Sequence, residues 1–228
     1  MKEKSCFDIL GPIMIGPSSS HTAGAARLGK VARYIAGDDF NRVDFFLQGS
    51  FAKTYIGHGT DKALAAGILG MEPHDDDLKY ALDIAAHKNI LIQFFEADLD
   101  VSHPNSVKIV FYKNDGSKTE VTGSSIGGGS IVIKRIDGYE TNFTGDYPTL
   151  IIQHTDQKGV ISDVSRTLAN ADINIATMRV KRKMRGKEAS IILESDSPLT
   201  LDLLNQLENV PGVNSVKFIN PIKSDVTV

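Results

Sequence analysis

A serine-rich segment near the amino terminus combines residue types that bind small anions. Residues 15–22 read Ile-Gly-Pro-Ser-Ser-Ser-His-Thr and lead from Ala23 into a pattern typical of a helix. A serine at a helix start caps unpaired N–H groups, and these groups together with the helix dipole attract a carboxylate or phosphate. One serine suffices for a cap. Three serines followed by His21 predict a binding site for a small anionic molecule, with a helix cap that binds no ligand as the alternative.

Two further histidines lie where the chain must turn sharply. His58 lies between two glycines, and His103 precedes Pro104-Asn105. Flanking glycines let the backbone approach a ligand closely, and histidine, with a pKa near ~6.5, exchanges a proton near neutral pH. We expect His58 to act as a base or proton shuttle, with His103 second and His21 third, an order that the sequence does not fix.

A glycine-rich segment, Ser124-Ser-Ile-Gly-Gly-Gly129, lies between two predicted strands. A bulge or loop is its ordinary explanation. A triple glycine can also cradle a phosphate, which would fit pyridoxal phosphate chemistry. That chemistry needs a Schiff-base lysine in a much larger fold, and nothing around Lys53 supplies the rest. We therefore set it aside.

Several other polar segments are predicted to be structural. Residues 74–77, His-Asp-Asp-Asp, are interpreted as the acidic start of a helix after a proline rather than as a metal site. The basic run 181–187 is interpreted as a solvated hairpin turn. His87 and His154 are expected to be structural.

Hydrophobic periodicity predicts an α+β arrangement for the first ~140 residues. Three helices are expected, at 19–35, 60–69 and 75–87. Mostly antiparallel strands are expected at 43–47, 90–95, 107–112, 120–122 and 131–136, with Asn114-Asp-Gly116 as a hairpin turn. We expect a first domain over residues 1–140, followed by a turn-rich linker at 141–148.

The pattern from residue 149 to 228 is more regular and predicts a second domain. Strands are expected at 149–154, 173–184, 189–194 and 213–219, and helices at 159–170 and 201–207. This β-α-β-β-α-β order is the ferredoxin-like unit, which by itself implies no function.

Bulk properties exclude several classes of protein. The 228 residues carry a formal net charge of −3 and a single cysteine. The charge gives no general attraction to nucleic acid or to an anionic membrane. No long apolar run and no hydrophobic signal core follow the start of the chain, so we expect a cytoplasmic protein. Cys6 alone excludes an intrachain disulfide and a self-contained iron–sulfur cluster, and we expect no metal ligands in this chain.

Four segments of the first domain resemble the β portion of iron–sulfur-dependent L-serine dehydratases. They are Gly-Pro-Ser-Ser-Ser-His-Thr, His-Gly-Thr-Asp, His103-Pro-Asn105 and residues 124–129. The resemblance implies conversion of L-serine to pyruvate and ammonia, with a 4Fe-4S cluster ligated by a separate, cysteine-bearing α chain. It implies catalytic roles for His58, His103 and His21. It also implies substrate binding by Ser18, Ser19, Ser20, Thr22, Thr60, Asp61, Asn105 and Gly128.

The second domain resembles an ACT domain, a regulatory module of amino-acid enzymes. Asp156-Gln-Lys-Gly159 and the later Asp-Ile-Asn174 carry this resemblance. It implies effector binding by Asp156, Gly159 and Asn174 and self-association through this domain. Whether serine or another amino acid is the effector stays open, as do the subunit stoichiometry and a side activity on threonine.

A non-catalytic sensor of amino acids or hydroxy acids is the alternative function. The first domain also resembles the allosteric substrate-binding domain that some phosphoglycerate dehydrogenases carry beside an ACT domain. The dinucleotide-binding Gly-x-Gly-x-x-Gly pattern is absent. A sensor has little use for His58 in a glycine-flanked loop or for His103 in a proline-flanked loop, so these histidines favour the enzyme. An assembly scaffold is the least favoured interpretation.

Overall fold

A computed structural model describes residues 13–182 and 184–220 of the chain. Among these residues, 13–138 belong to one compact unit and 145–220 to a second. The few residues between them are divided: 139–141 group with the second unit and 142–144 with the first. Within the described ranges, no helix is long and apolar enough to cross a membrane.

The first unit combines short helices with one mixed sheet. A π-helical turn at Ser19–Ala23 continues into α1 (Gly24–Ala36), and β1 (Phe40–Gly49) follows. The later elements are α2 (Ser50–Thr54), α3 (Thr60–Ile68), a 3-10 helix (Asp76–Tyr80), α4 (Ala81–His87), β2 (Leu91–Glu96), β3 (Asn105–Lys113), β4 (Lys118–Gly127), β5 (Ser130–Ile136) and β6 (Tyr139–Phe143).

The six strands are ordered β2-β1-β3-β4-β5-β6. β1 pairs in parallel with β2, while the β1–β3, β3–β4 and β4–β5 pairs are antiparallel. Side chains alternate between the two faces of a strand. One face therefore carries a buried apolar layer, which includes Val43, Phe45 and Leu47 of β1 and Val107, Ile109 and Phe111 of β3.

Two glycines bring α1 and α3 unusually close together. A Cβ atom on Gly67 would lie 2.1 Å from the carbonyl oxygen of Ala26, and one on Gly29 would lie 2.6 Å from that of Leu64. Only glycine permits this backbone approach. The contact fixes the second half of α3 against α1, which is the helix that follows the serine-rich segment.

The second unit has the predicted β-α-β-β-α-β order. Its elements are β7 (Thr149–Thr155), α5 (Val160–Asn170), β8 (Ile175–Arg182), β9 (Glu188–Ser195), α6 (Leu201–Glu208) and β10 (Val213–Ile219). The strands are ordered β10-β7-β9-β8. Apolar residues at helical spacing on α5 pack on the alternate residues of β7 and β9, and this core includes Val160, Val164, Leu168, Leu150, Ile152, Ile191 and Leu193. The predicted α+β class is confirmed.

The structure corrects several predicted elements. The helix expected over 19–35 begins as a π-helical turn, and the one expected over 75–87 is a 3-10 helix followed by α4. β4 runs to Gly127 rather than ending at Thr122, because cross-strand pairing with β3 and β5 extends it past its apolar core. Residues 139–143, expected to straddle the start of the linker, form β6 instead. The short helix α2 was not expected.

Candidate functional site

The serine-rich segment is organised by its own side chains. Ser18 has extended backbone and caps the π-helical turn: its Oγ accepts a hydrogen bond from the backbone N–H of His21 at 3.3 Å. The carbonyl of Ser19 accepts the backbone N–H of Gly24. Single π turns in proteins are found frequently at functional sites. The predicted helix cap is therefore present. His21 and Thr22, which belong to the turn, are buried.

His21 has polar neighbours at both ring nitrogens. Its Nδ1 lies 3.3 Å from Ser18 Oγ and 3.1 Å from Ser20 Oγ, and its Nε2 lies 3.1 Å from Ser50 Oγ. The ring also packs edge-on against Phe51, with centroids 5.2 Å apart. Burial and, secondarily, the charge of nearby His58 lower the pKa of His21. The imidazole is therefore neutral near pH 7.

His58 is exposed and lies beside this buried imidazole. The centroids of the His21 and His58 rings are 4.9 Å apart. Its position follows from a tight connection between α2 and α3, in which the backbone N–H of His58 donates to the carbonyl of Thr54 at 3.0 Å. An exposed imidazole at the edge of a buried polar cluster can exchange protons with a bound molecule.

The start of α3 supplies two buried polar residues directly after His58. Thr60 is fully buried and Asp61 is 9% exposed. The Oγ1 of Thr60 and the Oδ1 of Asp61 have no hydrogen-bond partner among the described residues. Burial raises the pKa of the Asp61 carboxyl. Within the described residues, these two oxygen atoms therefore have unused hydrogen-bonding capacity, two and three positions after His58 in the chain.

The segment His103-Pro-Asn105 packs against the end of β1. A Cβ atom on Gly49 would lie 2.7 Å from the carbonyl oxygen of Pro104, so only glycine fits there. The Oγ of Ser106 donates to the carbonyl of His103 at 2.6 Å and lies 2.7 Å from Ser124 Oγ. These contacts hold the segment at the same end of the sheet as Ser50.

One ring nitrogen of His103 is already occupied. The backbone N–H of Asn105 donates to its Nδ1 at 3.2 Å. An imidazole nitrogen that accepts a hydrogen bond carries no proton, so neutral His103 carries its proton on Nε2. His103 is half-buried, and its Nε2 can donate a proton or a hydrogen bond.

Strand register aligns further polar groups at this end. Gly49 of β1 pairs with Asn105 of β3, and the Ser106–Ser124 pair places Ser125 next to Asn105 across β3 and β4. The Oδ1 of Asn105 and the Oγ of Ser125 are buried and lack hydrogen-bond partners among the described residues. A Cβ atom on Gly24 would lie 2.0 Å from Ser125 Oγ, so Ser125 lies under the start of α1.

Thr22 and Gly128 differ in what surrounds them. Thr22 is buried, and its Oγ1 lacks a partner in the described part of the chain. Gly128 and Gly129 form the turn between β4 and β5, with φ angles of 60° and 79°. This turn accounts for the glycines without a ligand. The structure gives Gly128 no contact that indicates binding.

The predicted residues of the first unit thus fall into one connected group and an outlying turn. Ser18, Ser20 and His21 contact one another, and His58 contacts His21. Thr60 and Asp61 follow His58 at the start of α3. Asn105 reaches the same end of the sheet on β3. Two residues of this group were not predicted, Ser50 and Ser125. The signal for Ser125 was its place in the glycine-rich segment 124–129. Ser50 follows Gly49, the last residue of β1, and belongs to no motif noted above.

The predicted effector residues of the second unit are not brought together within one chain. Asp156 follows the end of β7, accepts the backbone N–H of Gly186 at 3.0 Å and pairs with Arg182 at 3.2 Å. The Nδ2 of Asn174 donates to Asp196 at 2.6 Å. Because β7 and β8 both run antiparallel to β9, Asn174 lies at the opposite end of the sheet. Asp156 bonds to Lys187 at one end of β9, and Asn174 bonds to Asp196 nine positions further on, about 30 Å away at roughly 3.3 Å per residue.

Gly159, the third predicted effector residue, is exposed at the start of α5, on the Asp156 side. His154, predicted to be structural, is buried, and its Nδ1 donates to the carbonyl of Thr155 at 2.9 Å. Its Nε2 has no hydrogen-bond partner among the described residues.

The residues of this chain do not fit an iron–sulfur cluster. The full sequence contains one cysteine, whereas clusters are held by several thiolates. Across residues 13–182 and 184–220, no group of three His, Cys, Asp or Glu side chains could hold a metal ion. The site consists of hydroxyl, imidazole, amide and carboxyl groups, which bind and move protons.

Comparisons with known proteins agree with the two-unit division. A family model described as serine dehydratase beta chain matches residues 5–90, and one described as ACT domain matches residues 149–212. The L-serine dehydratase, beta chain, of Peptoniphilus asaccharolyticus is 42% identical over 220 residues, which are 96% of this chain and 99% of that protein. The probable L-serine dehydratase, beta chain, of Bacillus subtilis (strain 168) is 43% identical over 219 residues, with the same coverage of 96% and 99%.

A second group of relatives is more distant. The D-3-phosphoglycerate dehydrogenase of Methanocaldococcus jannaschii is 29% identical over 201 residues, which are 86% of this chain and 37% of that protein. The similarity therefore extends over both units of this chain.

Proposed function

The chain belongs to the family of L-serine dehydratase beta chains, and from that premise we propose that it takes part directly in the dehydration of L-serine to pyruvate and ammonia. In this proposal, the chain binds the substrate and transfers protons during the reaction. The observation that carries it is the contact between exposed His58 and the buried, hydroxyl-lined His21. A proton-exchanging group beside donors for an anion is what elimination from an amino acid requires.

His58 is proposed as the base that removes the α-proton of serine. It is exposed at the edge of the cluster, so a substrate can reach its ring. His21 is less suited to this role because it is buried and has hydroxyl groups at both ring nitrogens. We therefore assign His21 to positioning rather than to proton abstraction.

His103 is proposed as a hydrogen-bond or proton donor. Its Nδ1 accepts the backbone N–H of Asn105, which leaves the proton of the neutral ring on Nε2. A donor suits the departing hydroxyl, which must leave as water. Loss of the α-proton and of this water yields aminoacrylate, which tautomerises and is hydrolysed to pyruvate and ammonia.

The polar residues around the histidines are proposed to bind the substrate. Asp61 and Asn105 offer oxygen atoms to the ammonium group, because both have buried oxygens without a partner in the described structure. The hydroxyl group of Ser18 is proposed to face the carboxylate, with Ser19, Ser20, Thr22 and Thr60 lining the same region. No role follows from the geometry of Gly128.

A cysteine-bearing α chain is the partner that this reaction needs. Hydroxide is a poor leaving group, and a 4Fe-4S cluster on that chain would supply the Lewis acid that takes the oxygen. The name beta chain, shared by the relatives, implies an alpha chain. We propose that the two chains meet over His58 in the cytoplasm.

Self-association through the second unit is a separate proposal. β8 is an edge strand of the four-stranded sheet, and most of its residues are exposed. An exposed edge offers unpaired backbone groups to a second copy of the strand. An antiparallel second copy of β8 would also bring an Asn174 to the neighbourhood of another chain's Asp156.

A sensor of amino acids or hydroxy acids is the second candidate function. The similarity to D-3-phosphoglycerate dehydrogenases over 86% of the chain favours it. Buried oxygens that lack a partner in the described part of the chain, such as Asn105 Oδ1, would serve a sensor as well as an enzyme. An exposed His58 beside a second imidazole is the feature that a sensor does not need.

The test is an anaerobic assay of the complex. The chain is co-expressed with the cysteine-bearing α chain, the cluster is reconstituted, and pyruvate formation from L-serine is measured, with L-threonine as a comparison substrate. Pyruvate formation that needs both chains supports the proposal. No pyruvate with an intact cluster, together with saturable binding of serine to this chain, would make the chain a sensor.

A further inference from the structure

Ser50 is a site residue for which the proposed function has no role so far. It begins α2 directly after Gly49, the last residue of β1, and it is half-buried. Its Oγ lies 3.1 Å from Nε2 of His21, although 29 positions separate the two residues in the sequence. The tertiary structure therefore connects the serine-rich turn to the end of β1 through a single imidazole.

The contacts around His21 indicate which ring nitrogen accepts a hydrogen bond and which one donates. The backbone N–H of His21 donates to Ser18 Oγ, so the hydroxyl proton of Ser18 is left to donate elsewhere. Ser18 Oγ and Ser20 Oγ both lie within 3.3 Å of Nδ1 of His21. Nδ1 has a single lone pair, and Ser20 Oγ, at 3.1 Å, is the nearer hydroxyl. A hydroxyl that donates to Nδ1 favours the neutral form in which Nδ1 accepts and Nε2 carries the proton.

The other side of the ring then acts as a donor. In that tautomer, Nε2–H of His21 donates to Ser50 Oγ at 3.1 Å, which occupies a lone pair of that oxygen and leaves the Ser50 hydroxyl proton directed away from the imidazole. Hydrogen bonds in such a chain polarise one another. In this arrangement, the chain from Ser20 through His21 ends in a strengthened O–H donor at Ser50.

We propose that Ser50 binds the carboxylate of the substrate, and that His21 is a positioning residue that orients the Ser50 hydroxyl toward it. The inference rests on the proposed function, which supplies an amino-acid substrate. It adds one donor to the carboxylate site, at the end of the sheet where Gly49 pairs with Asn105. An O–H donor to a carboxylate is charge-assisted and therefore stronger than one between neutral groups.

Kinetics of the reconstituted complex test the binding role. In Ser50→Ala, KM for L-serine is expected to rise about ten- to hundredfold, because a hydrogen bond to a charged group is lost, while kcat changes little. Ser50→Thr keeps the hydroxyl and is expected to retain most of the affinity. Ser117→Ala, an exposed serine in the β3–β4 turn, is the control. An unchanged KM in Ser50→Ala, or a loss confined to kcat, overturns the proposal.

Nitrogen-15 NMR of the full chain tests the positioning role without enzyme activity. The neutral His21 ring, assigned by comparison with His21→Ala, is expected as the Nε2–H form. The Nδ1–H form would overturn the proposal even if a Ser50 variant failed to fold. A wild-type complex that makes no pyruvate would instead contradict the proposed function, and the tautomer of His21 would still decide whether the donor chain exists.

Discussion

At the helix-covered end of the six-stranded sheet, five buried side-chain oxygens lack hydrogen-bond partners within the described residues, whereas the predicted effector residues of the second unit are already paired. The five oxygens belong to Thr22, Thr60, Asp61, Asn105 and Ser125. In the second unit, Asp156 binds Gly186 and Arg182, and Asn174 binds Asp196. The first region has unused hydrogen-bonding capacity, and the second has little at these positions.

The difference has an energetic meaning. A buried polar group without a partner costs about 1–3 kcal/mol, so five in one region are a substantial cost to stability. Folds tolerate such local conflicts mainly at functional sites. In the first unit, these oxygens support the proposal that residues of one chain bind the substrate. The second unit needs either a second chain or a rearranged loop to bind one through the predicted residues.

The largest expected effect concerns His58. His58→Ala in the reconstituted complex should reduce kcat for L-serine by about 10²–10⁴, because general base catalysis contributes about that much. His87→Ala, an exposed histidine at the end of α4, serves as the matched control and should leave kcat unchanged. If His58→Ala forms pyruvate at a rate within about tenfold of wild type, His58 is not the base. The histidine pair would then no longer distinguish the first unit from the second.

A second expected effect concerns the glycine contact that supports the site. Gly67→Ala should lower the free energy of unfolding by about 1–3 kcal/mol, since its Cβ would meet the Ala26 carbonyl at 2.1 Å. Gly57→Ala is the control: its Cβ would have only a 3.8 Å contact. Urea unfolding measures both. Equal stabilities would mean that α1 and α3 adjust freely and do not hold the site rigidly.

A smaller effect is expected from the buried carboxyl. Since burial raises the pKa of Asp61, the folded state holds the proton more tightly than the unfolded chain does. The free energy of unfolding should therefore fall as pH rises from about 3.9 through the raised pKa, and then level off. Asp61→Asn should remove this dependence and stabilise the chain at pH 7, while raising KM for L-serine.

Exposed Asp76→Asn is the control for that measurement. Chemical denaturation at a series of pH values gives the slope for each variant. If Asp61→Asn keeps the wild-type dependence of the free energy of unfolding on pH, another group causes it. The buried Asp61 carboxyl would then no longer distinguish the first unit from the second.

The smallest effect on the dehydration reaction is expected from the second unit, where the prediction concerns effector binding. If an effector site is shared between two chains, Asp156→Ala and Asn174→Ala should each abolish effector binding. Mixing the two variants should then restore roughly a quarter of the sites, because a mixed symmetric dimer contains one intact pair. Calorimetry with amino acids measures the number of sites. Undiminished binding by either single variant would show that the ligand does not use these residues.

Much of this architecture could be predicted because it depends on local pattern. The β-α-β-β-α-β order of the second unit follows from apolar periodicity, and α5 shows it with Val160, Val164 and Leu168 on its buried face. The helix cap by Ser18 follows from its side chain alone. β4 was predicted too short, since Ser124 and Ser125 are not typical strand residues and only pairing with β3 keeps them in the sheet.

The sequence by itself determined which chemical groups this protein has: hydroxyls, imidazoles, a carboxyl, and too few thiols for a cluster. Tertiary structure alone decided which of them meet. It brought Ser50 to His21 across 29 positions, aligned Asn105 with Ser125 through strand register, and separated Asp156 from Asn174 by the length of a strand. The physical reason is that residue type fixes donors and acceptors, whereas contact between distant residues depends on pairing and packing that no local pattern contains.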